Sequence, residues 1–192
     1  MYENEERAIK FLIKAFKGNK NKIDNMERCF HSILVGNAIK DITKYEEIII
    51  AAYLHNIINY TEYGYEDIEE RFGSIVSDIV TEISEDWSLP KWTSRKKEFI
   101  KRLKLSNDVN NINIIIADKT QDLLSFRCYY EKKNNKLWKE LNITKSDATW
   151  FYREIYNIAL SKNANPKLLN RYKKELEYFF GEISWKKRQI LF

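Results

Sequence analysis

The chain has 192 residues, enough for one compact domain that buries roughly 70% of the surface its unfolded form exposes; a second full domain would be cramped. With 44% hydrophobic and 14% aromatic residues it carries ample core material, which argues against wholesale disorder, and no apolar run approaches the ~20 residues that cross a bilayer. Five glycines and two prolines are too few for the turns of an all-β fold, and the formal charge of +5 suits an anionic partner without requiring one.

Read in chain order, the acidic start at Glu3, Glu5 and Glu6 lacks the charge pattern of a signal peptide, which predicts a cytoplasmic protein. Ala8 to Phe16 places Ile9, Leu12, Ile13 and Phe16 at helical spacing, and Lys17 to Asn25 reads as a loop. Met26 to Asp41 predicts a helix with Phe30, Ile33, Leu34 and Ala38 on its inner face, and it carries His31. Tyr45 to Ile58, almost continuously apolar from Ile48 to Leu54, predicts a central helix ending near His55.

Tyr65 to Phe72 is a short helix closed by Gly73, and Ser74 opens another in which Ile75, Ile79, Val80 and Ile83 recur on one face. Leu89-Pro90 breaks the chain before a basic helix, Ser94 to Leu105, with Arg95, Lys96, Lys97, Lys101, Arg102 and Lys104 largely outward. Asn110 to Phe126 forms a buried element containing Asp118. A charged loop around Lys132 to Lys136 leads to two amphipathic helices, Lys145 to Ser161 and Pro166 to Gly181, and then to the tail Trp185 to Phe192. The expectation is an all-α, single-domain bundle over 1–192, with site elements in 20–126 and helices in 145–181 completing it. Trp138, Trp150, Phe151, Tyr152 and Tyr156 have apolar neighbours at helical spacing and are expected to pack in the core rather than to stack bases. Cys29 and Cys128 belong to no CxxC pair and read as reduced packing residues.

Both histidines of the chain, His31 and His55, lie on apolar helical segments, where an imidazole needs partners for its ring nitrogens. Asp118 follows Ile114, Ile115, Ile116 and Ala117 and is followed by Lys119; a carboxylate emerging from such a run needs a cation or donors. Judged singly, each His is more often a hydrogen-bonded core residue. Two imidazoles and a carboxylate from three helices make a first shell for Mn²⁺, Fe²⁺ or Zn²⁺.

Phe30-His31-Ser32, Ala51-Ala52-Tyr53-Leu54-His55-Asn56 and Ile115-Ile116-Ala117-Asp118-Lys119 together resemble the H…HD…D pattern of HD-domain phosphohydrolases. Tyr65-Glu66-Asp67-Ile68-Glu69-Glu70-Arg71-Phe72-Gly73, followed by Val76 and Val80, is similar to the hydrolase domain of RelA/SpoT proteins. Leu89-Pro90-Lys91 with Arg95-Lys96-Lys97 resembles the stand-alone metazoan form, and the likeness spans nearly the whole chain. It implies an all-helical HD bundle that binds Mn²⁺ and removes the 3′-pyrophosphate of (p)ppGpp, with NADPH as another substrate of some members.

Carried over residue by residue, the likeness assigns His31, His55 and Asp118 as metal ligands and puts Asn56 where the HD aspartate stands. Its acidic pair, which activates or orients water, falls on Asn59 and Tyr60. An amide in place of a carboxylate ligand removes a negative charge and keeps an oxygen, so metal affinity should fall without vanishing. Neither Asn59 nor Tyr60 takes a proton near neutral pH as a carboxylate does, and a lost general base costs about 10²- to 10⁴-fold in rate. Asp122 stands where the family usually has Asn. Candidate phosphate contacts are Lys20, Lys22, Lys91, Arg95, Lys96, Lys97 and Lys119, each weighed against a merely solvated or paired charge.

Two functional expectations follow: an alarmone-hydrolase-like nucleotide phosphohydrolase with weakened chemistry, or an inactive nucleotide-binding sensor, sponge or regulatory partner of another protein. A helical interaction module using Ser94 to Leu105 is a third. Membrane and nucleic-acid partners are not expected.

Overall fold

The computed structural model describes residues 3–23, 25–133 and 136–182. Among them the fold is all-α, with no strand beyond a lone antiparallel bridge between Lys20 and Glu27. The helices are α1 (Glu3–Ala15), α2 (Arg28–Lys40), α3 (Glu46–Leu54), α4 (Ile57–Tyr60), α5 (Tyr65–Phe72), α6 (Ser74–Ile83), α7 (Trp92–Leu105), α8 (Val109–Lys133), α9 (Lys136–Glu140), α10 (Lys145–Ser161) and α11 (Pro166–Phe180).

Helix α3 is apolar on every side, and Ile49 to Leu54 are all buried because α1, α2 and α6 cover it. Each Ile or Leu so buried contributes roughly 2 kcal/mol. Helix α8 is the second axis of the core, packed against α2, α6, α9, α10 and α11. Its run Ile112 to Thr120 is buried throughout, which carries Asp118 and Lys119 into the interior.

Chain punctuation follows local chemistry. Gly73 (φ 88°) and Gly181 (φ 76°) take the left-handed turn that ends α5 and α11. Thr144 accepts a hydrogen bond from Asp147 N at 3.0 Å to start α10. Asn165 accepts one from Lys167 N, with Pro166 opening α11, and its own N–H donates to Asn113 Oδ1 on α8 at 2.8 Å.

At the other end, α1 is anchored by a buried carboxylate. Glu5, 1% exposed, receives Lys40 Nζ at 2.6 and 2.8 Å, and the Tyr53 hydroxyl lies 3.1 Å from Glu5 Oε1 and 2.8 Å from Asn37 Oδ1.

Several sequence expectations are corrected. On α2 the inner face is Cys29, Ser32, Val35, Gly36 and Ile39, whereas Phe30 and Leu34 are about half exposed. The reason is a close crossing: Gly36 meets the ring of Tyr53, an approach only a residue without Cβ permits, and this rotates the larger apolar side chains outward. Ile13 on α1 and Ile75 on α6 are likewise exposed. Lys96, expected outward, is 8% exposed. Helix α7 begins at Trp92 and α8 runs on to Lys133, through part of the expected charged loop. The tail from Trp185 lies outside the described residues. Trp138, Phe151, Tyr152 and Tyr156 are buried in the core with edge-on and tilted ring contacts.

Candidate metal centre

The site begins where α3 stops. Past Leu54 the chain turns through His55 and Asn56 before α4, and His55 Nδ1 donates to the Ala52 carbonyl at 2.8 Å. That bond fixes the tautomer and leaves the Nε2 lone pair directed inward. His55 Nε2 is buried without a hydrogen-bond partner and stands 3.4 Å from Oδ1 of Asp118. From α2, His31 Nε2 reaches the same oxygen at 2.9 Å, with the two imidazole rings 5.4 Å apart. One donor atom from each of the three residues lies within 4.8 Å of the others.

A lone pair facing a carboxylate oxygen in a buried place is repulsive unless a cation stands between them, so the donor set fits a divalent metal ion. Two imidazole nitrogens and one carboxylate oxygen suit Mn²⁺, Fe²⁺ or Zn²⁺. Asn56 lines the adjoining cavity and presents an amide where a further oxygen ligand would be useful.

Burial alone would raise the Asp118 carboxyl, but Lys119, with Nζ 2.6 Å from Oδ2, and the hydrogen bond with His31 hold it well below its ordinary 3.8. Burial likewise opposes the charge on Lys119, and Asp118 and Asp122, the latter at 3.3 Å, outweigh it and raise its pKa well above 10.5. For His31 too, burial opposes protonation, yet the hydrogen bond to and charge of Asp118 lift its pKa above 6.5.

The donors open into a cavity of about 80 Å³ lined by Asn21, Arg28, His31, Asn56, Tyr60, Glu85, Lys96, Asp118, Lys119 and Asp122. Beside it lies a larger cavity of about 310 Å³, with Lys22, Trp92, Phe126, Asn142 and Tyr152 in its walls. Arg28, Tyr60, Lys96 and Asp122 border both. Of the other basic residues read from the sequence, Lys91 and Arg95 line a hollow of about 420 Å³ that shares Trp92 and Asn142 with the larger cavity, and Arg95 Nη1 donates to the Leu89 and Pro90 carbonyls at 3.0 Å. Lys20 and Lys97 are exposed and border none of these three spaces. Lys20 forms a backbone bridge to Glu27, and Lys97 is on the solvent side of α7.

Asn59 turns away from the donors. Its Nδ2 donates to the Glu85 carbonyl at 2.9 Å, and its Oδ1 accepts from Glu85 N at 3.1 Å. Tyr60 lies beneath the Arg28 guanidinium, 4.0 Å from the ring centroid, and its hydroxyl is pushed up by burial, so it stays protonated at neutral pH.

Three residues lining the smaller cavity, Asn21, Arg28 and Glu85, escaped the sequence reading. Arg28 is one helical turn before His31, an i, i+3 spacing that puts both on one face, and its Nε donates to Asn19 Oδ1 at 3.1 Å. Glu85 follows the apolar end of α6 as Asp118 follows its isoleucines, and that shared pattern was the available signal. Its carboxylate is paired with Lys96.

The helical bundle thus brings two imidazoles and a carboxylate from three segments within 4.8 Å of one another, a donor set of the kind that holds a metal ion. The chain belongs to the HD-domain family, whose model matches residues 8–143. It is 27% identical over 140 residues to the guanosine-3′,5′-bis(diphosphate) 3′-pyrophosphohydrolase of Aquifex aeolicus, covering 72% of this chain and 20% of that protein. It is 32% identical over 78 residues to the pyrophosphohydrolase MESH1 of Drosophila melanogaster, covering 41% and 42%. The chain therefore spans a fifth to under half the length of these relatives. The solved structure of a metazoan ortholog of SpoT that hydrolyzes ppGpp superposes with a TM-score of 0.76 at 18% identity, covering 95% of this chain and 98% of that one. The crystal structure of lmo0812 from Listeria monocytogenes EGD-e gives 0.69 at 23% identity, covering 79% and 99%. Both share the fold.

Proposed function

We propose that this chain binds a purine nucleotide bearing a pyrophosphate, of the (p)ppGpp type, and hydrolyses the 3′-pyrophosphate in a metal-dependent reaction. The observation that carries the reading is the meeting of His31, His55 and Asp118 within 4.8 Å at the edge of a cavity that also holds Lys96 and Lys119. The named activity of the relatives supports the substrate class.

His31, His55 and Asp118, with Asn56 beside them, would hold Mn²⁺ or another divalent ion. When bound, such an ion lowers the pKa of water and neutralises charge on phosphate oxygens. The chain's own residues do the rest. Lys96 and Arg28, at the junction of the two cavities, supply cations for the phosphates. The larger cavity, walled by Trp92, Phe126 and Tyr152, offers aromatic faces to a base. Lys119 is committed to Asp118 and Asp122 and serves to fix the carboxylate. The same reading takes 1–192 as a single domain in which α10 and α11 complete the bundle, and sets the protein in the cytoplasm with nucleotides such as (p)ppGpp or NADPH as ligands.

A second reading, an inert nucleotide-binding sensor or regulatory protein, is favoured by Asn59 and Tyr60, whose side chains are engaged with Glu85 and Arg28. One experiment separates the two. The purified protein with added Mn²⁺ is incubated with ppGpp, pppGpp and NADPH, and products are followed by chromatography. Loss of nucleotide that disappears in His55→Ala supports the enzyme; tight binding of intact nucleotide supports the sensor. Binding of neither metal nor nucleotide removes both.

A further inference from the structure

We infer that Glu85 is the proton acceptor of this site, and that Asn59 is a positioning residue that holds it there. The inference rests on the hydrolytic reading above. In the sequence, the positions expected to carry acids hold Asn59 and Tyr60, so the cavity should lack a base. The fold supplies one from elsewhere. Glu85 lies just past α6, 26 residues along the chain from Asn59, and its side chain lines the same 80 Å³ cavity as His31, Asn56 and Asp118.

Its placement is not left to a flexible loop. The amide of Asn59 grips both backbone groups of residue 85, donating to the carbonyl at 2.9 Å and accepting from the N–H at 3.1 Å. Only a side chain with a donor and an acceptor side by side can do this, so the residue at the expected acid position serves as a clamp for a carboxylate brought in from another segment. Without the clamp both backbone groups of residue 85 would lose these partners.

The carboxylate is also suitably shared. Glu85 Oε1 is paired with Lys96, while Oε2 is 3.7 Å from Arg95 Nε, beyond hydrogen-bond distance, and keeps lone pairs for a water molecule. Burial favours the neutral acid, but Lys96 outweighs it and keeps the group ionised at neutral pH, in the form that accepts a proton. Lys96 borders both cavities, so an entering phosphate competes with Glu85 for its ammonium. As Lys96 turns to the phosphate, the carboxylate becomes more basic when the substrate is in place.

In the step itself, water oxygen forms a bond to the phosphorus attached to the 3′ oxygen, and Glu85 takes one of the water's protons. The bond between that phosphorus and the 3′ oxygen breaks, the oxygen leaves with the electron pair, and the proton passes to it from Glu85 through solvent. Pyrophosphate and the 3′-hydroxyl nucleotide are the products.

The test compares wild type, Glu85→Gln, Glu85→Asp and Asn59→Ala, with ppGpp affinity measured by calorimetry and turnover measured in Mn²⁺. The expected result is Glu85→Gln folded, binding ppGpp within about threefold of wild type, and slower in kcat by about 10²- to 10⁴-fold. Glu85→Asp should recover part of the rate, and Asn59→Ala should lose kcat while KM changes little. Turnover by Glu85→Gln within about threefold of wild type overturns the assignment. So does a fall in ppGpp affinity that accounts for the whole loss, because Glu85 would then serve only to hold Lys96. Wild type that binds ppGpp and leaves it intact overturns the acceptor while nucleotide binding stands. Folded wild type that binds no nucleotide overturns the functional reading and Glu85 with it.

Discussion

Lys119 places its ammonium 2.6 Å from Oδ2 of Asp118, so the carboxylate that faces both imidazoles already carries one cation on its far oxygen. Two consecutive residues of α8 thus share one buried charge pair, and Asp122 completes it at 3.3 Å. Removing one partner of such a pair leaves the other uncompensated, which costs about 3–5 kcal/mol. Lys119→Met is expected to lower Tm by about 8 °C, read by circular dichroism. A shift under 2 °C would show that the pair contributes nothing net.

The same pair sets a pH window for the metal-free protein. The Asp118 value lies below 3.8, so its stabilisation is present above pH 3.8 and is lost as pH falls through the lower folded value. The Lys119 value lies above 10.5, so its stabilisation is present below pH 10.5 and is lost as pH rises through the higher folded value. Thermal unfolding measured in steps should show this part of the stability constant between those limits. In Lys119→Met the alkaline loss should shrink.

Asn56 borders the cavity beside the three donors with an amide. Asn56→Asp adds a negative charge where a metal ion's first shell needs one and should tighten Mn²⁺ binding about tenfold by titration calorimetry. Unchanged affinity places residue 56 outside the ion's reach.

Gly36 lies against the Tyr53 ring at the crossing of α2 and α3. Gly36→Ala forces a methyl group into that ring, and overpacking of this kind costs about 1–3 kcal/mol. The expected result is a fall in Tm of about 5 °C together with weaker Mn²⁺ binding, because His31 is on the displaced helix. Wild-type stability in this variant would mean that the helices separate without cost.

Restoring an acid at position 59 is expected to harm the protein. Asn59→Glu removes the amide that grips the backbone of residue 85, so Tm and turnover should both fall. A rise in turnover would show that residue 59 itself faces the reacting water.

Much of the architecture was legible in the chain. The helices, their glycine stops and the three donors could be read because apolar spacing and turn chemistry are local. His31, His55 and Asp118 stood out as polar groups in apolar runs, and burial of such groups calls for a shared partner wherever the chain folds. The inner face of α2 could not be read, since Phe30 and Leu34 are as apolar as Val35 and Ile39, and only the close approach of Gly36 to Tyr53 chooses between them. The buried position of Lys96, the stacking of Arg28 on Tyr60 and the grip of Asn59 on Glu85 were equally hidden. These contacts join residues 11 to 32 positions apart, and their formation depends on how helices cross, which no local pattern encodes. The sequence by itself determined an all-helical chain with three candidate metal ligands; the tertiary structure decided which charges face them, because burial and pairing are properties of the packed whole.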